Sequence, residues 1–393
     1  MDLNFAPEDE AFRDECRSFL AETLPGDVAR KVGLGIQPTL DEVMAWHRQL
    51  YDKGWIAPNW PEEWGGPGWT VTQKYIWDEE QALANAPRPI PFGLSMCGPV
   101  LMAFGTEEQK RDNLPRILSG ERIYCQGYSE PGAGSDLAAL KTRCEVHDDR
   151  LVINGQKIWT TAAHWANWIF CLVRTSSAGK RQEGISFVLI DMATPGIEVK
   201  PLITLEGLHE VNEVFFTDVV VPRENLVGEV DQGWTIAKYL LGHERMGGGA
   251  LGSQKNGLRS LKEIAADQGL DRDGTFMCKV AEVEIELQTL EMQMLRMLAA
   301  VSADKEIGAE SSMIKIRRTE IQQRLSELKM EAAAYDANPY QIEAMEHGWN
   351  EEPVGPDYAN ALAAKYFNDR KHTIFAGSNE IQRNIISKRV LGL

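Results

Sequence analysis

Tyr128–Asp136 reads YSEPGAGSD, and the interpretation of the whole chain depends on this stretch. Its proline and two glycines are loop formers, so the simplest interpretation is a surface turn. Alternatively, its backbone N–H groups form a nest that binds a pyrophosphate together with the hydroxyls of Ser129 and Ser135. The stretch follows the short extended run IYCQGYS and does not open a long amphipathic helix, which disfavours a Rossmann crossover.

The pattern of the sequence changes on both sides of this loop. Residues 1–120 carry helical patterns, whereas residues 121–230 hold runs such as WIFCLVRT and NEVFFTDVVVP that are rich in β-branched and aromatic residues. Residues 231–393 return to long helical periodicity. We therefore predict an α+β fold with three domains over these ranges.

Local signals predict particular helix starts and one turn. Thr39 with Glu42, and Thr106 with Gln109, match the capping-box pattern at the beginning of a helix. Asn154-Gly155 separates two strand-like runs, which predicts a two-residue hairpin turn.

Composition narrows the classes of function. The 393 residues suffice for two or three domains, and 43% of them are hydrophobic, enough for a packed core. The formal net charge is −17, from 41 basic and 58 acidic residues, which disfavours nucleic-acid binding because phosphate contacts need clustered cations. An anionic cofactor would have to be bound by local basic groups or backbone N–H groups.

Neither a metal site nor secretion is predicted. The six cysteines are scattered and form no CxxC pair, so neither a zinc site nor a disulfide framework is indicated. The beginning of the chain, MDLNFAPEDEAFRDE, lacks the basic and apolar regions of a signal peptide. No apolar run is long enough to span a bilayer. We predict a cytoplasmic protein.

Five segments, in order, resemble the acyl-CoA dehydrogenase family. YSEPGAGSDLAALKT is similar to its FAD-binding segment, and NGQKIWTTAAHWANW to its flavin-contacting strand. GWIAPNWPEEWGGPGW, NEVFFTDVVVPRENLVGEVDQGW and FAGSNEIQRNIISKRVLGL resemble three further family segments. Within the family, the resemblance is closest to the large subunits of pimeloyl-CoA dehydrogenases. It implies an N-terminal helical domain, a middle β-barrel-like domain and a C-terminal four-helix bundle.

The resemblance also implies how FAD is bound. Trp159 would pack on the flavin as a flat apolar wall, and Thr161 would hydrogen-bond near its N5 atom. Without the resemblance, the WTT sequence would be a strand with a core tryptophan. The residues implied to bind FAD are Gln126, Tyr128, Ser129, Gly134, Ser135, Trp159, Thr160, Thr161, Ser378 and Glu380.

The general base is implied to lie at Glu244. Many relatives carry this glutamate in the C-terminal signature, where this chain has Ala376, but others carry it before an arginine, as in Glu244-Arg245 here. Helical spacing places Ala237, Leu240, Leu241 and Gly248 on the same face as Glu244, and an apolar face would raise the pKa of a carboxylate. The alternative is a solvated glutamate paired with a cation.

The implied reaction follows from these positions. Glu244 takes the α-proton of an acyl-CoA, the backbone N–H of Ala376 binds the thioester oxygen, and the β-hydride passes to flavin N5. Arg245 and Ser135 are implied to contact the substrate. The product is a trans-2-enoyl-CoA, and the electrons leave through an electron-transfer flavoprotein. The glycines of Met246–Ala250 indicate either tight helix packing or room for a bulky acyl chain.

Two family segments that serve the FAD of a neighbouring subunit are not recognisable. An RxxFG segment is replaced by Asp271–Phe276, and no Gly-Gly-x-Gly segment precedes the C-terminal signature. We therefore expect an α2β2 assembly with a smaller paralogous subunit, with a homo-oligomer as the alternative. Three functions stay open: a dehydrogenase using Glu244, a structural subunit of a hetero-oligomeric dehydrogenase, and an acyl-CoA oxidase or flavin monooxygenase.

Overall fold

A computed structural model describes residues 5–244, 251–302, 308–345 and 349–393, without the side chains of residues 242–244 and 302. The first part of the chain is helical. Its six α-helices, α1 to α6, are Pro7–Thr23, Gly26–Leu34, Leu40–Lys53, Val71–Leu83, Gly98–Phe104 and Glu107–Ser119. A wide π-helical turn, Phe92–Cys97, leads directly into α5. The predicted helical character of this part is confirmed.

Capping boxes fix the starts of three of these helices. Thr39 and Thr106 accept hydrogen bonds from the N3 backbone N–H groups of α3 and α6, as predicted. Thr70 and Gln73 form a third box at α4 that was not predicted. Each box satisfies two backbone N–H groups that a helix start otherwise leaves unpaired.

The middle of the chain is a single eight-stranded sheet. Its strands β1 to β8 are Tyr124–Gly127, Arg143–Val146, Arg150–Thr161, Trp168–Arg174, Ile185–Asp191, Ile197–Ile203, His209–Pro222 and Leu226–Val227. They are ordered β6-β7-β3-β2-β4-β5-β8, and β1 pairs with β4 in parallel. Strands β4 and β5 are buried along almost their whole length, which explains their nearly continuous apolar sequences.

The predicted hairpin turn at Asn154-Gly155 is wrong. Strand β3 runs through both residues, and the register with β7 shifts between Ile153 and Gly155, so the pair forms a bulge. A Cβ atom on Gly155 would lie 2.6 Å from Cα of Thr142. The glycine therefore permits β2 to approach β3 closely, which is a different use of the same residue.

The last part of the chain is helical again, as predicted. Its helices α7 to α12 are Gly233–Glu244, Leu251–Asp267, Gly274–Ser302, Glu310–Ala333, Leu362–Asp369 and Asn379–Ile386. Helices α8, α9 and α10 pack against one another, and α4 packs against α8. No helix within the described ranges is long and apolar enough to cross a membrane.

A buried charge network joins the two helical parts. Arg13 of α1 donates to Glu79 at 2.8 Å and to Glu80 at 2.6 Å on α4. Lys255 of α8 then bridges Glu79 to Glu291 of α9. Burial opposes the charge of Glu79, but its two cationic partners outweigh burial and lower its pKa. Loss of either cation would leave the buried Glu79 carboxylate with one cationic partner in place of two.

Candidate FAD and acyl-CoA site

The YSEPGAGSD stretch forms a tight turn directly after β1. Glu130 and Ala133 exchange two backbone hydrogen bonds, of 2.9 and 3.0 Å, so Pro131-Gly132 forms the tip of the turn. Gly134 and Ser135 follow the turn and are exposed, whereas Tyr128 is buried with its ring edge against Phe170. The predicted loop is therefore a fixed turn that presents its glycines and Ser135 to solvent.

A buried ion pair beneath the turn holds it in place. Lys157 of β3 is completely buried and donates to the Glu130 carboxylate at 2.8 Å. The same carboxylate accepts the backbone N–H groups of Lys141 at 2.6 Å and Thr142 at 2.9 Å. Burial acts to raise the pKa of Glu130, but the Lys157 charge and these hydrogen bonds outweigh it and lower that pKa.

Backbone contacts join the turn to β3 as well. The Ser129 carbonyl accepts from Ile158 N–H at 2.9 Å, and the Tyr128 carbonyl accepts from Lys157 Nζ at 3.3 Å. Gln126, on β1, is half-buried and lies opposite Phe170 of β4. The turn and the Trp159–Thr161 end of β3 are therefore held in one rigid arrangement.

Space at Gly134 fits a ligand that approaches the backbone. Its φ is not in the left-handed region, and an added Cβ would meet no atom within 4 Å; the same holds for Gly132. The chain itself therefore does not require glycine at either position. A cofactor pyrophosphate held by backbone N–H groups does require it, because a side chain would keep the phosphate at a distance.

Replacing Gly134 by alanine should weaken FAD binding without harming the fold. We expect the dissociation constant for FAD to rise about tenfold, equivalent to about 1.4 kcal/mol. The FAD-free protein should keep its stability to within about 1 kcal/mol, because the added methyl group meets no protein atom. Titration of the FAD-free protein with FAD, and thermal unfolding, measure the two effects.

Gly26→Ala is the matched control, because a Cβ there also meets no atom within 4 Å. It should change neither FAD affinity nor stability appreciably. Unchanged FAD affinity in Gly134→Ala would show that the turn does not contact the cofactor.

Trp159 has a strained backbone and an exposed ring. Its φ is +60°, which a tryptophan rarely adopts, and 57% of its surface is accessible. The register between β3 and β7 shifts between Lys157 and Thr160, so Trp159 sits in a bulge. Such bulges re-aim a side chain, and strain of this kind concentrates at functional sites. The bulge provides an exposed, flat apolar surface of the kind a flavin ring needs.

The two threonines after Trp159 differ in environment. Thr160 is 1% exposed, and its Oγ1 is buried without a hydrogen-bond partner in the described part of the chain. Asn212 of β7 donates to the Thr160 carbonyl at 3.0 Å, and Thr161, which is half-buried, pairs with Val211. An orphaned buried hydroxyl beside the exposed Trp159 suits a polar cofactor, so the residues here fit FAD.

The C-terminal signature forms a turn that exposes Ala376. Ala376 has φ +52° and Gly377 has φ +76°, and both residues are exposed. Ser378 then caps α12, its Oγ accepting from Ile381 N–H at 3.4 Å. Glu380 lies exposed in the first turn of α12, where its own backbone N–H and the Ser378 hydroxyl lower its pKa. The roles predicted for Ser378 and Glu380 in FAD binding stay predictions.

Two neighbouring carboxyl groups, Glu206 and Glu210, lie where the segment before this turn meets the sheet, and the sequence did not predict them. Lys371 donates to the Glu210 carboxylate of β7, and Asn368 donates to the same oxygen at 3.4 Å. Glu206 is only 5% exposed and hydrogen-bonds to Glu210. Burial, with the neighbouring Glu210 charge, raises the pKa of Glu206 to about 7 although Lys371 acts to lower it.

This raised pKa predicts a pH-dependent stability. A carboxyl group whose pKa is higher in the folded than in the unfolded state stabilises fully below the unfolded value of 4.5, and the contribution is lost as the pH rises through 7. We expect the wild-type free energy of unfolding, relative to Glu206→Gln, to fall by about 3 kcal/mol between those pH values. Denaturant unfolding of both proteins across this pH range measures it.

Glu198→Gln on β6 is the matched control, because it alters an exposed glutamate and leaves the buried pair intact. It should reproduce the wild-type pH dependence. Parallel pH profiles for wild type and Glu206→Gln would contradict the assignment.

The described part of helix α7 ends at the position predicted for the base. Ala237 and Leu240, on the predicted apolar face, are 0% and 1% exposed, and Tyr239 packs edge-on against Phe104 of α5. Leu241 is half-buried and Gly248 lies outside the described residues, so burial is seen for Ala237 and Leu240 of this face. The side chain of Glu244, all of Arg245 and the glycines up to residue 249 lie outside the described residues.

Sequence reasoning missed the two ion pairs that organise the site. A lysine flanked by strand-forming residues in GQKIWTT is a usable signal, because a charged residue on a buried strand needs a partner. The Glu210–Lys371 pair has no such signal, since its members are far apart in the chain and each resembles an ordinary surface residue.

Family models match most of the chain. The model described as "Acyl-CoA dehydrogenase, N-terminal domain" matches residues 6–121, the middle-domain model matches 125–219, and the C-terminal-domain model matches 231–391. Acyl-CoA dehydrogenase IpdE1 of Mycobacterium tuberculosis is 35% identical over 98% of this chain and 97% of its own length. Acyl-CoA dehydrogenase FadE26 of the same organism is 31% identical over 100% and 99%.

Solved structures of acyl-CoA dehydrogenases have the same fold as this chain. A chain of the Tcur3481-Tcur3483 steroid ACAD superposes with a TM-score of 0.86 at 28% identity, covering 100% of this chain and 99% of that one. A chain of the ChsE4-ChsE5 complex from Mycobacterium tuberculosis gives a TM-score of 0.84 at 29% identity, with the same coverage. The chain belongs to the acyl-CoA dehydrogenase family, whose members are FAD-dependent oxidoreductases.

Proposed function

We propose that the chain dehydrogenates an acyl-CoA thioester between its α and β carbons, giving a trans-2-enoyl-CoA. One observation carries this proposal: the bulge in β3 presents Trp159 as an exposed flat wall beside the buried Thr160 hydroxyl, which has no hydrogen-bond partner among the described residues. Together they suit a flavin ring, which needs both an apolar face and polar contacts at its edge. When bound, FAD supplies the acceptor for the hydride that leaves the β carbon.

Glu244 is our candidate for the general base. It is the last residue of α7, whose preceding turns carry the buried Ala237 and Leu240. A carboxylate in an apolar setting has a raised pKa, which suits a general base. The backbone N–H of Ala376 is the candidate donor to the thioester oxygen, because an exposed turn leaves this group open to a ligand. We propose that Arg245 and Ser135 contact the CoA thioester.

The proposed cofactor contacts follow the two elements already described. The turn Tyr128–Ser135 would hold the pyrophosphate through its backbone N–H groups and hydroxyls, with Gln126 beside it on β1. Trp159–Thr161 would hold the flavin ring. Ser378 and Glu380, at the start of α12, would complete the contacts from the C-terminal side.

For the acyl group, we propose a bulky, ring-bearing substrate. A structural relative is described as a steroid ACAD, and 28% identity over the whole chain supports a related substrate. Small residues in Met246–Ala250 would leave room for such a group beside Glu244. Straight fatty acyl chains and the dicarboxylyl chains suggested by the resemblance to pimeloyl-CoA dehydrogenases are the alternatives.

We also propose an α2β2 assembly with a smaller paralogous subunit, from which electrons pass to an electron-transfer flavoprotein. Two structural relatives are described as complexes of two different chains. Asp273, in the region that replaces the RxxFG segment, caps α9 by accepting from Thr275 N–H at 2.8 Å. Tyr340 lies in the region before the C-terminal signature, where no Gly-Gly-x-Gly segment is found. It donates to the Leu205 carbonyl at 3.1 Å, so this region contacts its own chain.

A panel of thioesters tests the proposal. The chain, purified alone and with the paralogous subunit, would be assayed with octanoyl-CoA, pimeloyl-CoA and the CoA thioester of a steroid side-chain acid, using an artificial electron acceptor. We expect a full FAD complement only with the partner present, and turnover to be fastest with the steroid thioester. A full FAD complement in the isolated chain would contradict the assembly. Absence of turnover with every thioester would contradict the function.

A second candidate function rests on Ala376. This residue cannot accept a proton, so a structural subunit of a hetero-oligomeric dehydrogenase is the competing assignment. The panel separates the two when combined with replacement of Glu244. Rapid reoxidation of the reduced flavin by O2 would instead indicate an oxidase or monooxygenase.

A further inference from the structure

The turn carrying Ala376 is attached to the sheet through Lys371. The carbonyl of Lys371 accepts from Ile374 N–H at 2.9 Å and from Phe375 N–H at 3.1 Å, so this residue shapes the turn that leads into Ala376. Its ammonium group donates to the Glu210 carboxylate of β7. Backbone and side chain of Lys371 therefore connect the turn to the sheet.

Glu210 lies beside the strand that carries Trp159. Its carbonyl accepts from Ala162 N–H at 3.0 Å, directly after Thr161, and Thr161 itself pairs with Val211. Only two consecutive contacts, Ala162 to Glu210 and Glu210 to Lys371, thus separate the proposed flavin strand from the segment that carries the proposed thioester donor. The two proposed halves of the site meet at one ion pair.

We infer that the Glu210–Lys371 ion pair is a positioning device that fixes the Ala376 turn relative to the Trp159–Thr161 strand. The inference rests on the proposed function, since it assumes that the Ala376 N–H binds the thioester oxygen. Neither residue is a catalytic residue, because the pair acts through the backbone of the turn. Stabilisation of developing charge depends steeply on donor placement, and a displacement of about 1 Å costs about a hundredfold in rate.

Neighbouring groups keep the pair in one geometry. Asn368 holds the Glu210 carboxylate from the C-terminal side, while Glu206 hydrogen-bonds to it and is itself bound by Thr204 at 3.3 Å. The opposite end of the turn is fixed separately, because Gln382 of α12 donates to the Gly377 carbonyl at 3.2 Å. Removing the Lys371 ammonium should therefore loosen one anchor of the turn and leave the other in place.

Anaerobic flavin reduction in the FAD-loaded enzyme tests the inference, with the thioester of the panel that the wild type turns over fastest. Lys371→Met and Glu210→Gln should each slow reduction about tenfold to a hundredfold, with acyl-CoA affinity within about threefold of wild type. The double variant should be no slower than the slower single variant, because each change removes the same interaction. Lys371→Arg should retain most of the rate, since it keeps the charge.

Lys279→Met is the matched control. It removes a lysine–glutamate pair, with Glu331, that joins α9 to α10 and is remote in sequence from both halves of the site. It should reduce flavin at the wild-type rate. Wild-type rates in Lys371→Met and Glu210→Gln would overturn the inference, as would loss of FAD or of folded protein in both. A wild-type enzyme whose flavin no thioester reduces would instead overturn the proposed function.

Discussion

Glu244→Gln should abolish acyl-CoA turnover while FAD stays bound. The amide cannot accept the α-proton, and a positioned general base contributes about 10² to 10⁴-fold to the rate of such a step. FAD occupancy should be unchanged, because the residues that fit the cofactor lie on the 128–135 turn and on Trp159–Thr161. Steady-state turnover, and the flavin absorbance of the purified protein, measure the two effects.

The matched control is Glu282→Gln, which alters an exposed glutamate on α9. It should turn over at the wild-type rate. If Glu244→Gln keeps wild-type turnover, the base is not Glu244. The result would then favour the assignment of this chain as a structural subunit over its assignment as the dehydrogenase. Loss of FAD together with turnover would mean that Glu244 supports the fold of the site and not the proton transfer.

Local signals predicted the order of helices and strands, because they act within a few residues. The capping boxes at Thr39 and Thr106 are examples, since each one satisfies backbone N–H groups one turn away. The YSEPGAGSD turn belongs to the same class. Its Pro-Gly tip forms the two-residue connection between Glu130 and Ala133, which is a local feature, whereas its position against β3 depends on the distant Lys157.

Local patterns gave wrong or no predictions where residues distant in sequence determine the backbone conformation. Asn154-Gly155 has the sequence of a hairpin turn, but in the sheet it forms a bulge against β7, with Thr142, just before β2, close to Gly155. The left-handed backbone of Trp159 likewise depends on its register with β7. Pairing between strands far apart in sequence is a property of the assembled sheet, so no local pattern encodes it.

The buried Lys157–Glu130 pair supports the second large prediction. Lys157→Met should destabilise the protein by about 3–5 kcal/mol, because it leaves the Glu130 carboxylate buried without its cation. The YSEPGAGSD turn should lose its fixed position, since Lys157 also donates to the Tyr128 carbonyl. We therefore expect weaker FAD binding in addition to lower stability. Denaturant unfolding of the FAD-free protein and FAD titration measure these effects separately.

Two further variants separate the unpaired charge from the lost lysine. Lys157→Met/Glu130→Gln removes both charges, so it should recover part of the lost stability while FAD affinity stays low. Lys110→Met breaks a pair with Glu107, whose side chain is 57% exposed, and should cost no more than about 1 kcal/mol. If Lys157→Met were as stable as Lys110→Met, then the Glu130 carboxylate would be satisfied by the backbone N–H groups of Lys141 and Thr142 alone. The turn would then owe its position to those bonds and not to the ion pair.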